Sequence, residues 1–287
     1  MVHVTHESAV DTPPRGWWSR PVFLPAASTL QSLGSTVLLG LPALLVFALL
    51  WEVAPRVGWI NAIFFPPLSA VVEALYSMTV SGELGRNIGI SIGRAAAGFM
   101  LALAVAIPLG LLMGRYSLFE KLSDFLVQAL RNTSQFALLP VFILVLGIGE
   151  GSKIAVTFYA AVFFILVNTI VGVKSVDPLL IKAARAMGTS DWNLFRKVIL
   201  PSAVPSIVAG MRLGVKSSLF SVIAAEMLAA QSGIGYLIQN ASLMLDTDRM
   251  YAGILALTIV GFLLNYALVA AEKHATRWRS SEEEDFA

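Results

Sequence analysis

The chain has 287 residues, of which 57% are hydrophobic and only 13% charged, and its mean hydropathy is +0.77; soluble domains carry roughly 25% charged residues, so a water-facing surface of this size is excluded. A formal net charge of +2 offers no basic face for nucleic acid. The absence of cysteine excludes disulfides, thiolate catalysis and Cys-ligated metals.

What remains is an all-α integral membrane protein. Residues 1–32 are polar and proline-rich, with Trp17 and Trp18, and lack the compact apolar run of a signal peptide. They are expected to form a cytoplasmic tail. His3, His6 and His274 all lie in polar tails, and no metal site is expected. A bilayer core about 30 Å thick needs roughly 20 apolar residues of helix. Six segments within 33–273 qualify: 33–54, 95–114, 124–148, 154–173, 203–229 and 250–271. No alternating-period strands are evident, which argues against a β-barrel. The basic residues set the orientation. With the N-terminus inside, twelve Lys and Arg fall in inner segments and four (Arg56, Arg86, Lys153, Arg249) in outer ones. Both termini are therefore expected in the cytoplasm.

Between the first two spans, residues 55–92 hold Phe65-Pro66-Pro67 and then Val71, Val72, Leu75 and Met78 at helical spacing. This predicts a short amphipathic helix, either lying on the outer face or capping the bundle. In the second span, Gly110-Leu-Leu-Met-Gly114 fits a small-xxx-small helix contact, although ordinary packing explains it equally well.

The third span opens on Arg131-Asn132-Thr133-Ser134-Gln135. A span beginning only at Phe136 would cover about 20 Å by Ile148, too short for the ~30 Å core. The polar run therefore belongs inside the membrane, where Arg131, Asn132, Ser134 and Gln135 either line a translocation route or satisfy one another structurally.

The inner loop 174–202 carries two helix signals. Asp177 before Pro178 is an N-cap followed by proline at the first helical position, and Gly188 is placed to stop that helix. Thr189 or Ser190 then caps a second short helix with Trp192, Leu194 and Phe195, expected to end before Pro201. The small and large apolar residues of this hairpin suit either a partner interface or packing on its own bundle.

In the fifth span, Arg212, Lys216 and Glu226 fall within about 80° of one helix face at ~100° per residue. That face is expected to border the route, and three cations (Arg131, Arg212, Lys216) against one acid would suit an anion. The competing reading is that Arg212 snorkels and Glu226 binds a neighbouring helix end. After this span, Gly233-Ile-Gly235-Tyr236 reads as an outer turn or gate. The acidic tail 274–287 is expected to be cytoplasmic and solvated.

The run Ala183-Ala184-x3-Gly188-x9-Val198-x-Leu200-Pro201 resembles the EAA motif of ABC importer permeases. Two positions depart from it: Lys182 stands where the motif usually has Glu, and Val198 where it has Ile. Leu130-Arg131-Asn132 through Leu139-Pro140, Gly147-Ile-Gly, Leu200-Pro201-x3-Pro205-x4-Gly210-x-Arg212, and Ala225-Glu226 through Ser232-Gly-Ile-Gly-Tyr236 resemble the nitrate/sulfonate/taurine permease group. The resemblance covers roughly residues 55–275. It implies a type I ABC importer permease fold in the bacterial inner membrane, working as a dimer with a second copy of itself. It also implies an ABC ATPase pair holding ATP and Mg below, and a soluble substrate-binding protein outside. Asp177, Lys182, Ala183, Ala184, Met187, Gly188, Trp192, Phe195, Leu200 and Pro201 would then form the ATPase-coupling element. No phosphate loop is present, since Gly172-Val-Lys-Ser and Gly214-Val-Lys-Ser have the wrong glycine placement, so no cofactor or catalysis is expected in this chain. The expected cargo is a small anion of the sulfonate, taurine, nitrate or bicarbonate type. An uncharged pyrimidine-like solute, a passive channel and a membrane-embedded enzyme are the alternatives.

Overall fold

The structure, a computed structural model, describes residues 29–275, with side chains over 42–270. The tails expected at 1–32 and 274–287 lie almost wholly outside the described residues. By contacts the chain divides into two units, 1–51 and 52–287; the described part of the first is the leading portion of helix α1 (Thr29–Arg56). The second holds α2 (Leu68–Val80), α3 (Glu83–Arg115), α4 (Ser117–Asn132), α5 (Gln135–Leu146), α6 (Glu150–Lys174), α7 (Pro178–Ala186), α8 (Asp191–Leu194), α9 (Leu200–Ala229), α10 (Ile234–Leu243) and α11 (Thr247–Ala275).

Among the described residues, four helices are long and apolar enough to cross a membrane: α3, α6, the run 191–229, and α11. The bent pair α4–α5 makes a fifth if it is one span. The expected first span, 33–54, falls in α1, whose side chains before residue 42 are not described.

Small residues hold the centre together, because lipid tails give helices no hydrophobic reason to associate and close backbone approach must supply the contact. A Cβ added at Gly98 would lie 2.6 Å from Thr157 Cβ, at Gly110 2.7 Å from Thr169 Cβ, and at Gly114 2.6 Å from Val173 Cβ. The constant offset means that α3 and α6 run parallel in one register. Against α6, α9 runs the other way: Gly172 meets Ser206, Gly210 meets Asn168, and Gly214 meets Ile165. Ala102, Ala106, Met113, Ala161, Ile165 and Leu166 fill the core between these seams. The Gly110–Gly114 pair is thus an intrachain contact.

Three expectations need correction. The third span is not one helix: α4 and α5 meet at 97°, because Thr133 and Ser134 are both extended (ψ 128° and 125°). At 12 residues, α5 alone covers about 18 Å. Secondly, the helix that carries the second expected span, 95–114, starts well before it, at Glu83 behind the left-handed N-cap Gly82. Thirdly, the short helix at Asp191 does not end before Pro201. It continues through a π turn at Phe195–Ile199 into α9, with the Leu200 N–H reaching Phe195 O. Proline has no N–H and crowds the preceding turn, and a wider turn relieves both problems.

The 68–80 helix caps the bundle rather than floating on it. Val71 and Met78 are buried, α2 packs on α11 and α3, and the Glu52 carboxylate accepts from the Ser69 N–H at 2.9 Å.

Candidate functional site

At the end of the bundle away from the 174–202 loop, a charged cluster joins the three central helices. Arg94 on α3 uses all five of its guanidinium N–H donors. Nε and Nη2 fork onto the Glu150 carboxylate at the start of α6, both at 2.6 Å. Nη1 donates to Glu226 on α9 at 2.8 Å and to the Ser232 carbonyl at 2.7 Å, and Nη2 also reaches Ser232 Oγ at 3.0 Å. The side chains of Arg94 and Glu226 are 4% and 0% exposed, whereas that of Glu150 is 62% exposed.

Glu226 also closes the turn that follows its helix. Its Oε2 accepts from the Gly235 N–H at 3.0 Å, Ser91 Oγ accepts from the Ile234 N–H at 2.9 Å, and Asn87 Oδ1 accepts from the Gly233 N–H at 2.8 Å. Ser91 in turn donates to Glu226. These three amides are the otherwise unpartnered donors at the start of α10, and a carboxylate there complements the helix dipole. Both glycines are required. Gly233 has φ 109°, and a Cβ on it would overlap the Glu226 carboxylate; a Cβ on Gly235 would lie 2.8 Å from Glu226 Cβ. Nearby, Lys153 is buried and donates to the Ile148 and Gly149 carbonyls at 2.6 and 3.0 Å.

The break between α4 and α5 opens onto a cavity of about 570 Å³. Arg131, Asn132, Thr133, Ser134 and Gln135 form one wall, and Tyr159, Phe163, Phe164, Val167 and Asn168 of α6 the other. Tyr159 donates its hydroxyl to the Leu130 carbonyl, tying α4 to α6 beside the break. The N-terminus of α5 begins at this cavity, and Ser134 gives it no side-chain cap. Arg131 forms no ion pair with any described residue. A helix start with uncapped amides and an unneutralised guanidinium give the cavity a positive character.

At the opposite end, the 174–202 segment folds as a hairpin. Asp177 Oδ1 accepts from the Leu179 N–H at 2.7 Å, and Gly188 stops α7 with φ 71°, a left-handed value that favours glycine. Ala184, Leu194 and Ile199 pack inward with Val176 and Ala203, leaving Leu179, Leu180, Met187 and Trp192 on the outside, the last two 78% and 68% exposed. Trp192 stacks on Phe195 above a groove of about 260 Å³ that also involves Leu112, Arg115 and Tyr116.

The four polar residues expected at the third span therefore share one cavity. Arg212 and Lys216, both half-buried on α9, are not among its lining residues. Glu226, expected with them on a face bordering the route, is fully buried. It lies about 21 Å up the helix from Arg212 and is buried against Arg94, because a carboxylate in a span needs a partner more than it needs exposure. Within the hairpin, Lys182, Ala183, Met187, Gly188, Trp192 and Pro201 are exposed, Phe195 and Leu200 are partly covered, and Ala184 is buried. Ala184 is thus a core residue of the hairpin and not a surface one, since its face of α7 is the one turned to Leu194. The turn around Gly233, Gly235 and Tyr236 owes its shape, besides Glu226, to residues outside the expected site: Asn87, Ser91 and Arg94, the last held by Glu150. The legible signal was Arg94, a cation at the same end of its span as the acid Glu226.

Residues 106–279, more than half of the chain, match the family described as "Binding-protein-dependent transport system inner membrane component". An aliphatic sulfonates transport permease protein of Bacillus subtilis (strain 168), SsuC, is 33% identical over 243 residues, covering 85% of this chain and 87% of that protein. The taurine transport system permease protein TauC of Escherichia coli (strain K12) is 32% identical over 253 residues, covering 86% of this chain and 91% of that protein. Among solved structures, an inward-facing MetNI methionine ABC transporter chain aligns with a TM-score of 0.61 at 20% identity, covering 69% of this chain and 98% of that one. At that identity the likeness is one of fold.

Proposed function

The chain belongs to the family of binding-protein-dependent transport system inner membrane components, and on that premise we propose that it carries a small anion of the sulfonate kind by alternating access. It is the permease subunit of an ABC importer, a multi-pass inner-membrane transport component whose ATPase is a separate subunit. The anion reading rests on the cavity at the α4–α5 break, where Arg131 and the start of α5 present positive charge without an acid. It is supported by relatives named for sulfonates and taurine. Two copies of the chain would enclose the route, each contributing one such cavity. The hairpin with Met187, Gly188 and Trp192 outermost would dock on the ATPase, which binds ATP and Mg. The turn at Gly233–Gly235 would face the substrate-binding protein, an outer position that the distribution of basic residues supports.

Proteoliposomes containing the permease, its ATPase and its binding protein test this directly. ATP-dependent uptake of a radiolabelled alkanesulfonate or taurine, weakened by Arg131→Gln, is the expected result. Uptake of an uncharged pyrimidine-like solute instead, unaffected by Arg131→Gln, would remove the anion reading while leaving the importer intact.

A further inference from the structure

The charged cluster does more than neutralise buried charge. Each contact of Arg94 ties in a different part of the fold: Glu150 heads α6, Glu226 lies in the last turn of α9, and Ser232 lies in the turn between α9 and α10. No N–H donor is left over, so the guanidinium cannot pivot from one partner to another without breaking a bond. The turn is held a second time by its own amides, Gly233 to Asn87, Ile234 to Ser91 and Gly235 to Glu226. Beside it lies a polar depression of about 400 Å³ lined by Gly82, Arg86, Asn87, Gln231, Ser232 and Tyr236. Asn87 and Ser232 are therefore at once walls of that depression and members of the bonded cluster. From Glu150, α6 runs unbroken to Lys174 at the hairpin end, where Lys174 pairs with Glu120.

We infer that Arg94 is a positioning residue that makes the Ser232–Gly235 turn, the body of α3 and the ends of α6 and α9 one stiff unit. A polar loop of the substrate-binding protein seated in the depression then pushes on the central helices, and through α6 on the hairpin, instead of bending a loose turn. This rests on the reading that the turn faces the binding protein.

The test uses the full complex in proteoliposomes and reads the ratio of ATPase rates with and without sulfonate-loaded binding protein. Arg94→Lys keeps the charge but cannot serve all five contacts, and Glu150→Gln removes one charged partner whose side chain is already largely in water. Both variants should lower the stimulation ratio, Arg94→Lys by about fivefold or more, the lower range of site-to-site coupling. Gly110→Ala, which disturbs the α3–α6 seam at Thr169 about 24 Å along α3 from Arg94, controls for stability: it should lower the melting temperature and keep the ratio. A ratio kept at the wild-type value in both cluster variants, or one that merely follows melting temperature across all three, overturns the inference. If Arg94→Lys does not co-purify with the ATPase, Glu150→Gln decides alone. If sulfonate-loaded binding protein fails to stimulate even the wild-type complex, the reading that the turn faces the binding protein falls and the inference falls with it, the importer family standing.

Discussion

Gly235 donates its amide to Glu226 Oε2 at 3.0 Å, and the backbones there are so close that a methyl group on Gly235 would lie 2.8 Å from Glu226 Cβ and against the Ile223 carbonyl. Gly235→Ala should therefore destabilise the permease by about 1–3 kcal/mol, the usual effect of overpacking. Gly89→Ala, at a helical position with nothing within 4 Å, should be neutral or stabilising by up to about 1 kcal/mol. Thermal unfolding of the two purified variants in one detergent gives the comparison, and equal melting temperatures would contradict it.

Removing one partner of a buried ion pair leaves the other without compensation, typically at about 3–5 kcal/mol. Glu226→Leu should show this loss, since Arg94 keeps only the exposed Glu150 as a counter-charge. The amides of Gly233–Gly235 would loosen with it. Limited proteolysis should cut this turn faster in Glu226→Leu than in wild type.

The α3–α6 seam makes a sharper distinction among glycines. Gly98→Leu and Gly110→Leu push into Thr157 and Thr169 and should abolish accumulation of folded protein. Gly85→Leu and Gly93→Leu face open space in this chain and should accumulate normally. Membrane levels after expression separate the two pairs.

How much of this was readable in the sequence divides along physical lines. Asp177-Pro178 and Gly188 bound α7 because caps and left-handed glycines act locally, within a few residues. Length alone led to the expectation that the polar run Arg131–Gln135 lies inside one straight span, and it could not show the 97° bend, which depends on two consecutive extended residues. Helical periodicity placed Glu226 on a face with Arg212 and Lys216. It could not show that Arg94, 132 positions away in the chain, would meet that carboxylate, because pairing between spans is a tertiary fact. Ala184 was misplaced for a related reason: a small residue reads alike whether it admits a partner or packs under Leu194.

At the hairpin, Trp192→Ala and Met187→Ala remove exposed anchors without disturbing the inward-facing Leu194 and Ile199. Each should weaken retention of the ATPase by roughly tenfold, as loss of an interface anchor worth about 1.4 kcal/mol or more does. Asp177→Ala loses the α7 cap, about 1 kcal/mol, and should act in the same direction. Co-purification of the ATPase at increasing dilution measures all three, and full retention throughout would remove the hairpin from the docking surface.

The central claim is that an anion passes by Arg131 on an ATP-driven route. The most direct measurement is initial uptake of labelled alkanesulfonate into proteoliposomes holding the complete complex, comparing wild type with Arg131→Gln. The account predicts uptake that requires ATP and loaded binding protein. It also predicts a fall of about tenfold or more in the variant, since a charge-assisted contact is worth about 1.5–3 kcal/mol, with ATPase co-purification retained. Equal uptake by both proteins would contradict the placement of the route at the α4–α5 break.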